Sequence, residues 1–198
     1  MQSKAEKTSG FILEKVSPIF NQKGYAGTSL SDLTEATGLT KGCLYGNFKN
    51  KEDLAVQSLT YNVRKVIQPL SDELSNLVSP FEKLLKIAAY YKNYYQRVKD
   101  MGGCPVLKVG VDATNNHPAL FEKVQSISQK LENQFQAILQ DGINQGEFRK
   151  EIDPGFYAKI IYSMIEGAIL MSFIHHDPQY LIHMSEYLNQ IIHNQLKA

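Results

Sequence analysis

Residues 28–51, TSLSDLTEATGLTKGCLYGNFKNK, read as two short helices joined by a tight turn and running into a third. Ser29 is placed to cap the first, because a side-chain oxygen there accepts from an orphan amide, and Asp32 follows three residues on at the positive helix end. Leu30, Leu33 and Ala36 mark one apolar side. Gly38 stops the helix by tolerating a left-handed conformation, and Thr40 is placed to cap a second helix from Lys41 to about Asn47. On that helix Leu44 and Phe48 lie four apart and pack inward, while the pairs Lys41/Tyr45 and Cys43/Asn47 share the other sides. An inner anchor with a polar outer surface is a helix-turn-helix, whose second helix enters a DNA major groove.

The residues around this motif resemble the DNA-binding domain of the TetR (tetracycline-repressor) family. The match is carried by Phe20, Gly24-Tyr25, Thr28-Ser29, Ala36-Thr37-Gly38, Lys41-Gly42, Leu44-Tyr45, Phe48 and Lys51-Glu52-Asp53-Leu54. It spans residues 10 to 60, and beyond them rests on helix number and order. The resemblance implies a three-helix head on a helical regulatory domain, and a DNA-contacting set of Ser29, Thr40, Lys41, Gly42, Cys43, Tyr45, Asn47 and Lys51. Within that set Tyr45 looks like the family's phosphate-contacting tyrosine. Thr40 and Lys51 suit phosphates through a hydroxyl and a charge near helix N-termini. Lys41 and Cys43 are the candidates for base edges. The family often carries histidine where Asn47 stands, and asparagine still has an amide to donate.

The net charge of +1 means that any basic footprint has to come from placement rather than from the sum. Lys41, Lys49 and Lys51 cluster at the motif, and Lys4 and Lys7 suggest a light N-terminal arm. No arginine precedes Arg64, so the motif lacks the arginine fork that reads guanine, and two copies per site are expected. No uninterrupted apolar run approaches the roughly 20 residues of a membrane helix, and the start MQSKAEKTSG lacks a signal peptide's apolar core. The expected location is therefore the cytoplasm. Cys43 and Cys104, without CxxC spacing, suggest reduced thiols rather than a disulfide framework or a zinc site.

Taken in order, the chain predicts an all-α protein of about nine helices, with no competing strand signal. The first helix, from about Glu6 to Lys23, carries Ile12, Val16, Ile19 and Phe20 and ends at Gly24, with Pro18 inside its pattern. Asn50 caps a fourth helix whose apolar positions Ala55, Leu59, Val63, Val66 and Leu70 run far beyond the motif, and Pro69 is expected to bend or interrupt it. Ser79-Pro80, Asp153-Pro154 and Asp177-Pro178 each place a cap before a proline at the first helical position. These and the break at Gly102-Gly103 give helices at about 80–99, 105–113, 118–145, 154–176 and 178–196. The expected division is a helix-turn-helix domain over residues 1–50 and a helical ligand-binding and dimerisation domain over 51–198.

Tyr90, Tyr91, Tyr94 and Tyr95 offer apolar rings with polar tips, which suits either core packing or a ligand cavity. With the family's habit of binding small molecules in this domain, the expected ligand set is Tyr91, Tyr95, Cys104, Phe135, Tyr162 and Glu166. Glu166 is the only charge in the run IIYSMIEGAILMSFI, residues 160–174. An unpaired buried carboxylate is costly, so it either makes a structural hydrogen bond to a tyrosine, which is the favoured reading, or faces a pocket and calls for a cationic or hydrogen-bond-donating ligand. The run is apolar on nearly every side and needs partners on both faces. As in the family, this points to a homodimer through a four-helix interface with Phe173, Leu181, Met184, Leu188 and Ile191, and Gly167 would permit close approach.

Cys104 at a helix start invites a thiolate reading, but a small buried hydrophobe is the commoner role. The five histidines show no metal-ligand spacing, and no phosphate loop, nucleophile elbow or paired-carboxylate motif is present. No cofactor is called for. The sequence reads as a DNA-binding regulator, a repressor by preference, that binds a palindromic operator and is released by an unidentified small molecule. The rival reading is a helical ligand-binding or enzymatic protein with a vestigial DNA-binding head.

Overall fold

The computed structural model describes residues 4–114 and 117–198, with Lys4 described by its backbone alone. Ten α-helices follow one another among the described residues: α1 (Lys4–Gly27), α2 (Leu30–Thr37), α3 (Lys41–Asn47), α4 (Lys51–Ser75), α5 (Pro80–Lys92), α6 (Tyr94–Val98), α7 (Pro105–Ala113), α8 (Pro118–Asn144), α9 (Pro154–Ile174) and α10 (Gln179–Ile191). A 3-10 turn at Lys99–Met101 and a π turn at Ile192–Leu196 complete the set. Extended pairing among the described residues is limited to one isolated antiparallel bridge, Phe148 with Lys197. The expected basic arm is helical from its start: Lys7 is exposed on α1, and the Lys4 side chain lies outside the described residues.

The helix ends follow from local chemistry. Ser29 and Asp32 form a reciprocal capping box, with Ser29 Oγ accepting from the Asp32 amide at 3.1 Å and the Asp32 carboxylate accepting from the Ser29 amide at 2.7 Å. Gly38 ends α2 at φ 66°, and Asn50 Oδ1 accepts from the Asp53 amide at 2.8 Å to start α4. Pro69 lies inside α4 without interrupting it. The helix expected over 80–99 is instead broken at Asn93, whose φ of −106° and ψ of 11° leave the helical region. Asparagine is a poor helix-interior residue because its amide competes with the backbone, and the extra break makes ten helices of nine.

The chain forms two compact units, one of residues up to Val66 with Met101–Ser126, the other of Ile67–Asp100 with Ile127–Ala198. Compactness thus divides the chain elsewhere than at residue 50, because α7 packs on α1. In the first unit Ile12, Val16 and Phe20, spaced by four on α1, share a core with Leu33, Leu44, Phe48, Leu54, Ala113 and Leu120. Asn21 ties the incoming loop to α1 by donating its amide to the carbonyls of Met101 at 2.6 Å and Gly103 at 3.0 Å.

In the second unit α10 packs on α5 and α9. Leu181, Met184, Leu188 and Ile191, expected at a subunit interface, are buried inside the chain itself. They are the inward stripe of an amphipathic helix, and Ser185 on the same side donates to the Ala88 carbonyl at 2.8 Å. Phe173 is half-buried against Tyr95, with ring centroids 4.8 Å apart. The run on α9 is likewise not buried all round. Ala158, Ile161, Tyr162, Ile165, Ile169 and Ser172 face inward, whereas Phe156, Ile160, Leu170 and Ile174 are exposed. By length and composition this 21-residue helix also suffices to cross a membrane, a test that the core helix of a folded domain passes too.

Candidate nucleic-acid interface

α3 is anchored from beneath by Leu44 and Phe48, both buried in the first unit's core. Thr40 caps it, its Oγ1 accepting from the Cys43 amide at 3.3 Å. Ser29, Thr40, Lys41 and Gly42 are exposed, and Cys43 and Tyr45 are partly so. Lys41, Gly42, Cys43 and Tyr45 thus give a seven-residue helix a solvent-facing surface, with one ammonium-bearing stem at its first position. Asn47 is less available than the motif suggests. Its amide donates to the Cys43 carbonyl at 2.9 Å, and its Oδ1 accepts from Ser9 of α1 at 3.2 Å.

Lys51 is also committed. Its ammonium donates to the Tyr25 carbonyl at 2.7 Å and sits 4.4 Å from the centre of the Tyr25 ring, where burial holds its pKa below the ordinary lysine value while the Asp32 charge acts against that shift. This joins the start of α4 to the turn at Gly24, which adopts φ 73°. Asp112 of α7 clamps the same turn by accepting from the Tyr25 amide at 3.2 Å, and His117 meets the Tyr25 ring edge-on at 4.4 Å. Lys23 pairs with Asp32 at 2.6 Å and donates to it, and with the Ser29 hydrogen bonds this lowers the Asp32 pKa to about 2. The positive surface left over at the motif is thus Lys41 and Lys49, both exposed.

The second unit contains a cleft of about 340 Å³ between α4, α5 and α8. Ile67, Leu70, Leu74, Ile87, Leu131 and Ile138 give it apolar walls, and Tyr91 and Phe135 of the expected ligand set also line it. Tyr162 is near Phe135, at a centroid distance of 6.3 Å, but neither it, Tyr95 nor Glu166 belongs to the lining. Glu166 takes a hydrogen bond from Tyr162, and its Oε2 is shut off from solvent without a partner among the described residues. Burial raises its pKa to about 7 against the opposing effect of that bond. Cys104 is buried in the first unit, at the start of α7. Missing from the expected set were Lys83, Ser71 and Gln134, which also line the cleft. The signal for Lys83 was present in the spacing of Lys83, Ile87 and Tyr91, which recur every four residues along α5.

A family model described as "Bacterial regulatory proteins, tetR family" matches residues 12–57. A second, "Tetracyclin repressor-like, C-terminal domain", matches residues 80–188, more than half of the chain. The chain belongs to the TetR family. A regulator of this family from Cytophaga hutchinsonii, known by crystal structure, is 35% identical, with a TM-score of 0.90 over 100% of this chain and 98% of that one. The Bacillus subtilis HTH-type transcriptional regulator YxaF is 28% identical over 91% of this chain and 93% of its own length. The HTH-type transcriptional repressor DhaR from a Mycobacterium species is 24% identical over 80% of this chain and 79% of its own. This TetR-family chain is accordingly a helix-turn-helix transcriptional regulator. Its relatives are named as regulators rather than enzymes, and its fold is all-α with an N-terminal DNA-binding head and a larger helical domain.

Proposed function

We propose that this protein represses transcription as a cytoplasmic homodimer on a palindromic operator and is released when a small molecule occupies the cleft of the second unit. The observation that carries the reading is the surface of α3, where Leu44 and Phe48 hold the helix down and leave Lys41, Gly42 and Tyr45 facing outward. Two such helices would enter successive major grooves roughly 34 to 36 Å apart. Lys41 and Cys43 would meet base edges, and Thr40 and Tyr45 phosphates. The functional division is DNA reading by residues 1–50 and effector binding and pairing by 51–198.

The pairing surface in this reading is the exposed side of α9 and α10, where Phe156, Ile160, Leu170, Ile174, Tyr180 and Tyr187 leave apolar area open to solvent. α4 is continuous from the end of the motif to the cleft. A ligand that binds the released state more tightly than the DNA-bound state biases the equilibrium through that helix; one with equal affinity for both moves nothing.

The test is binding of a labelled palindromic fragment from the gene's own upstream region, followed by anisotropy over a range of salt concentrations. Affinity should fall steeply with salt. Lys41→Ala and Tyr45→Phe should each weaken binding about tenfold or more with helicity and oligomeric state unchanged, as a lost base or phosphate contact is worth about 1–3 kcal/mol per site. Equal binding of unrelated fragments, or variants that bind like the parent, would remove the operator reading.

A further inference from the structure

The chemistry of the cleft wall identifies a class of ligand. Lys83, Ile87 and Tyr91 stand on one face of α5 at i, i+4 and i+8, so the rise of an α-helix puts the lysine and the tyrosine about 12 Å apart along the cleft. Between them the walls are aliphatic and aromatic, from α4 (Leu70, Leu74) and α8 (Leu131, Phe135). Among the described residues, Lys83 is the only charged one in the lining. Among the described residues it has no ion pair, and three carboxylates of neighbouring segments have other partners. Glu73 pairs with Lys86 at 3.3 Å. Asp72 accepts from the Gln68 amide at 2.6 Å, and Glu147 from the Ser79 hydroxyl and the Phe81 amide, each at 2.8 Å. Glu166, which would have called for a cation, does not reach the lining. The cleft is therefore an apolar slot whose lining carries one positive charge, outside any ion pair among the described residues, toward one end.

We propose that the cleft binds an amphipathic monoanion, a flexible apolar body carrying one acidic headgroup that Lys83 neutralises. The assignment rests on the reading of this cleft as the effector site. Lysine is a compact point charge on a mobile stem, so it selects for the sign of the headgroup more than for its shape. Ser71, Ser75 and Gln134, also in the lining, offer neutral hydrogen bonds at the exposed side. The apolar remainder sets a size limit, since about 340 Å³ lies near the lower end of ligand pockets, roughly 300–1,000 Å³.

Decanoate, 1-decanol and decylammonium share one tail and differ in headgroup charge, so their affinities for the full-length protein, measured by calorimetry, isolate the role of Lys83. Decanoate should bind about tenfold more tightly than decanol, since a hydrogen bond to a charged group is worth about 1.5 kcal/mol or more, and decylammonium more weakly than either. The advantage should shrink with added salt. In Lys83→Met, which keeps an apolar stem, decanoate and decanol should differ by less than about twofold, and Lys83→Arg should restore the preference. Equal or tighter binding of decanol or decylammonium, a preference that survives Lys83→Met, or no binding of decanoate overturns the proposal. Operator binding in the presence of each compound separates the two readings. A Lys83-dependent decanoate site that leaves operator affinity unmoved supports the ligand class and removes the effector role. Release by decanol or decylammonium with no decanoate preference does the reverse.

Discussion

Two carboxylates show how placement sets the sign of a charge's contribution. Asp32 sits at the first turn of α2, where the ammonium of Lys23 and the amide and hydroxyl of Ser29 donate to it and hold its pKa down at about 2. Its contribution to stability is fully present above the unfolded carboxylate pKa and is lost as pH falls toward 2. Glu166 is the opposite case. Burial raises its pKa from 4.5 to about 7, so the folded state holds a proton that the unfolded chain releases. Folding is unpenalised below about pH 4.5, loses stability as pH rises through the interval to 7, and carries the full penalty above it. Glu166→Gln keeps the shape and removes the titration. Its urea midpoint should match the parent near pH 4.5 and exceed it by a growing margin up to about pH 8, where the margin levels off. Parallel midpoints across that range would show that Glu166 is not held away from water.

At the scale of elements, the connection after α8 shows a constraint that no local rule supplies. Gly142 is enclosed near the end of α8, and a Cβ there would overlap the ring of Phe148, which is almost completely buried. Its carbonyl also accepts from the amides of Glu147 at 2.9 Å and Phe148 at 3.1 Å, folding the chain back so that Arg149 can donate to the Leu196 carbonyl. Gly142→Ala should cost about 1–3 kcal/mol through overpacking, lowering Tm by several degrees. Phe148→Leu in the same chain should recover part of the loss if the ring is the obstacle; an unchanged Tm for Gly142→Ala would show that the connection yields. What was legible in the sequence divides along the same line. The caps at Ser29, Thr40, Asn50, Ser79 and Asp153 and the stop at Gly38 involve partners within a few residues, and all appear as read. The enclosure of Gly142 depends on Phe148 folding back onto α8, which helical spacing alone does not show, and the inclusion of α7 in the first unit depends on its packing against α1, far along the chain. On the DNA face the outward placement of Lys41 and Tyr45 followed from helical spacing, whereas the engagement of Asn47 by Ser9 and of Lys51 by the Tyr25 carbonyl required the turn to be seen from α1. On the C-terminal helices the apolar residues were recognised, but composition could not say which side α5 would cover: the side of Leu181, Leu188 and Ile191 faces inward, and that of Tyr180 and Tyr187 is left open.

For the molecule as a whole, a net charge of +1 and a motif with two exposed lysines leave one copy a weak electrostatic reader of DNA. In the proposed reading operator affinity depends on joining two heads, and thus on the open face of α9 and α10. Gly167 provides a test that separates pairing from folding. It lies on the exposed side of α9 between Ile160 and Ile174, and a Cβ placed on it meets nothing within 4 Å in its own chain. Within the protomer, Gly167→Leu should therefore be harmless or stabilising, by up to about 1 kcal/mol from improved helix propensity. Only a second copy packed closely against this point has reason to reject the side chain. Sedimentation velocity should show the dimer dissociating at a concentration at least tenfold higher than for the parent, with helicity and Tm of the monomer retained. Operator affinity should fall with it, because each head would have to bind alone. Leu188→Asp provides the contrast, since Leu188 is buried in the chain's own core and its loss should unfold the domain rather than divide a dimer. If Gly167→Leu leaves the dimer intact, α9 does not approach its copy at this point, and the pairing surface has to be sought on another face.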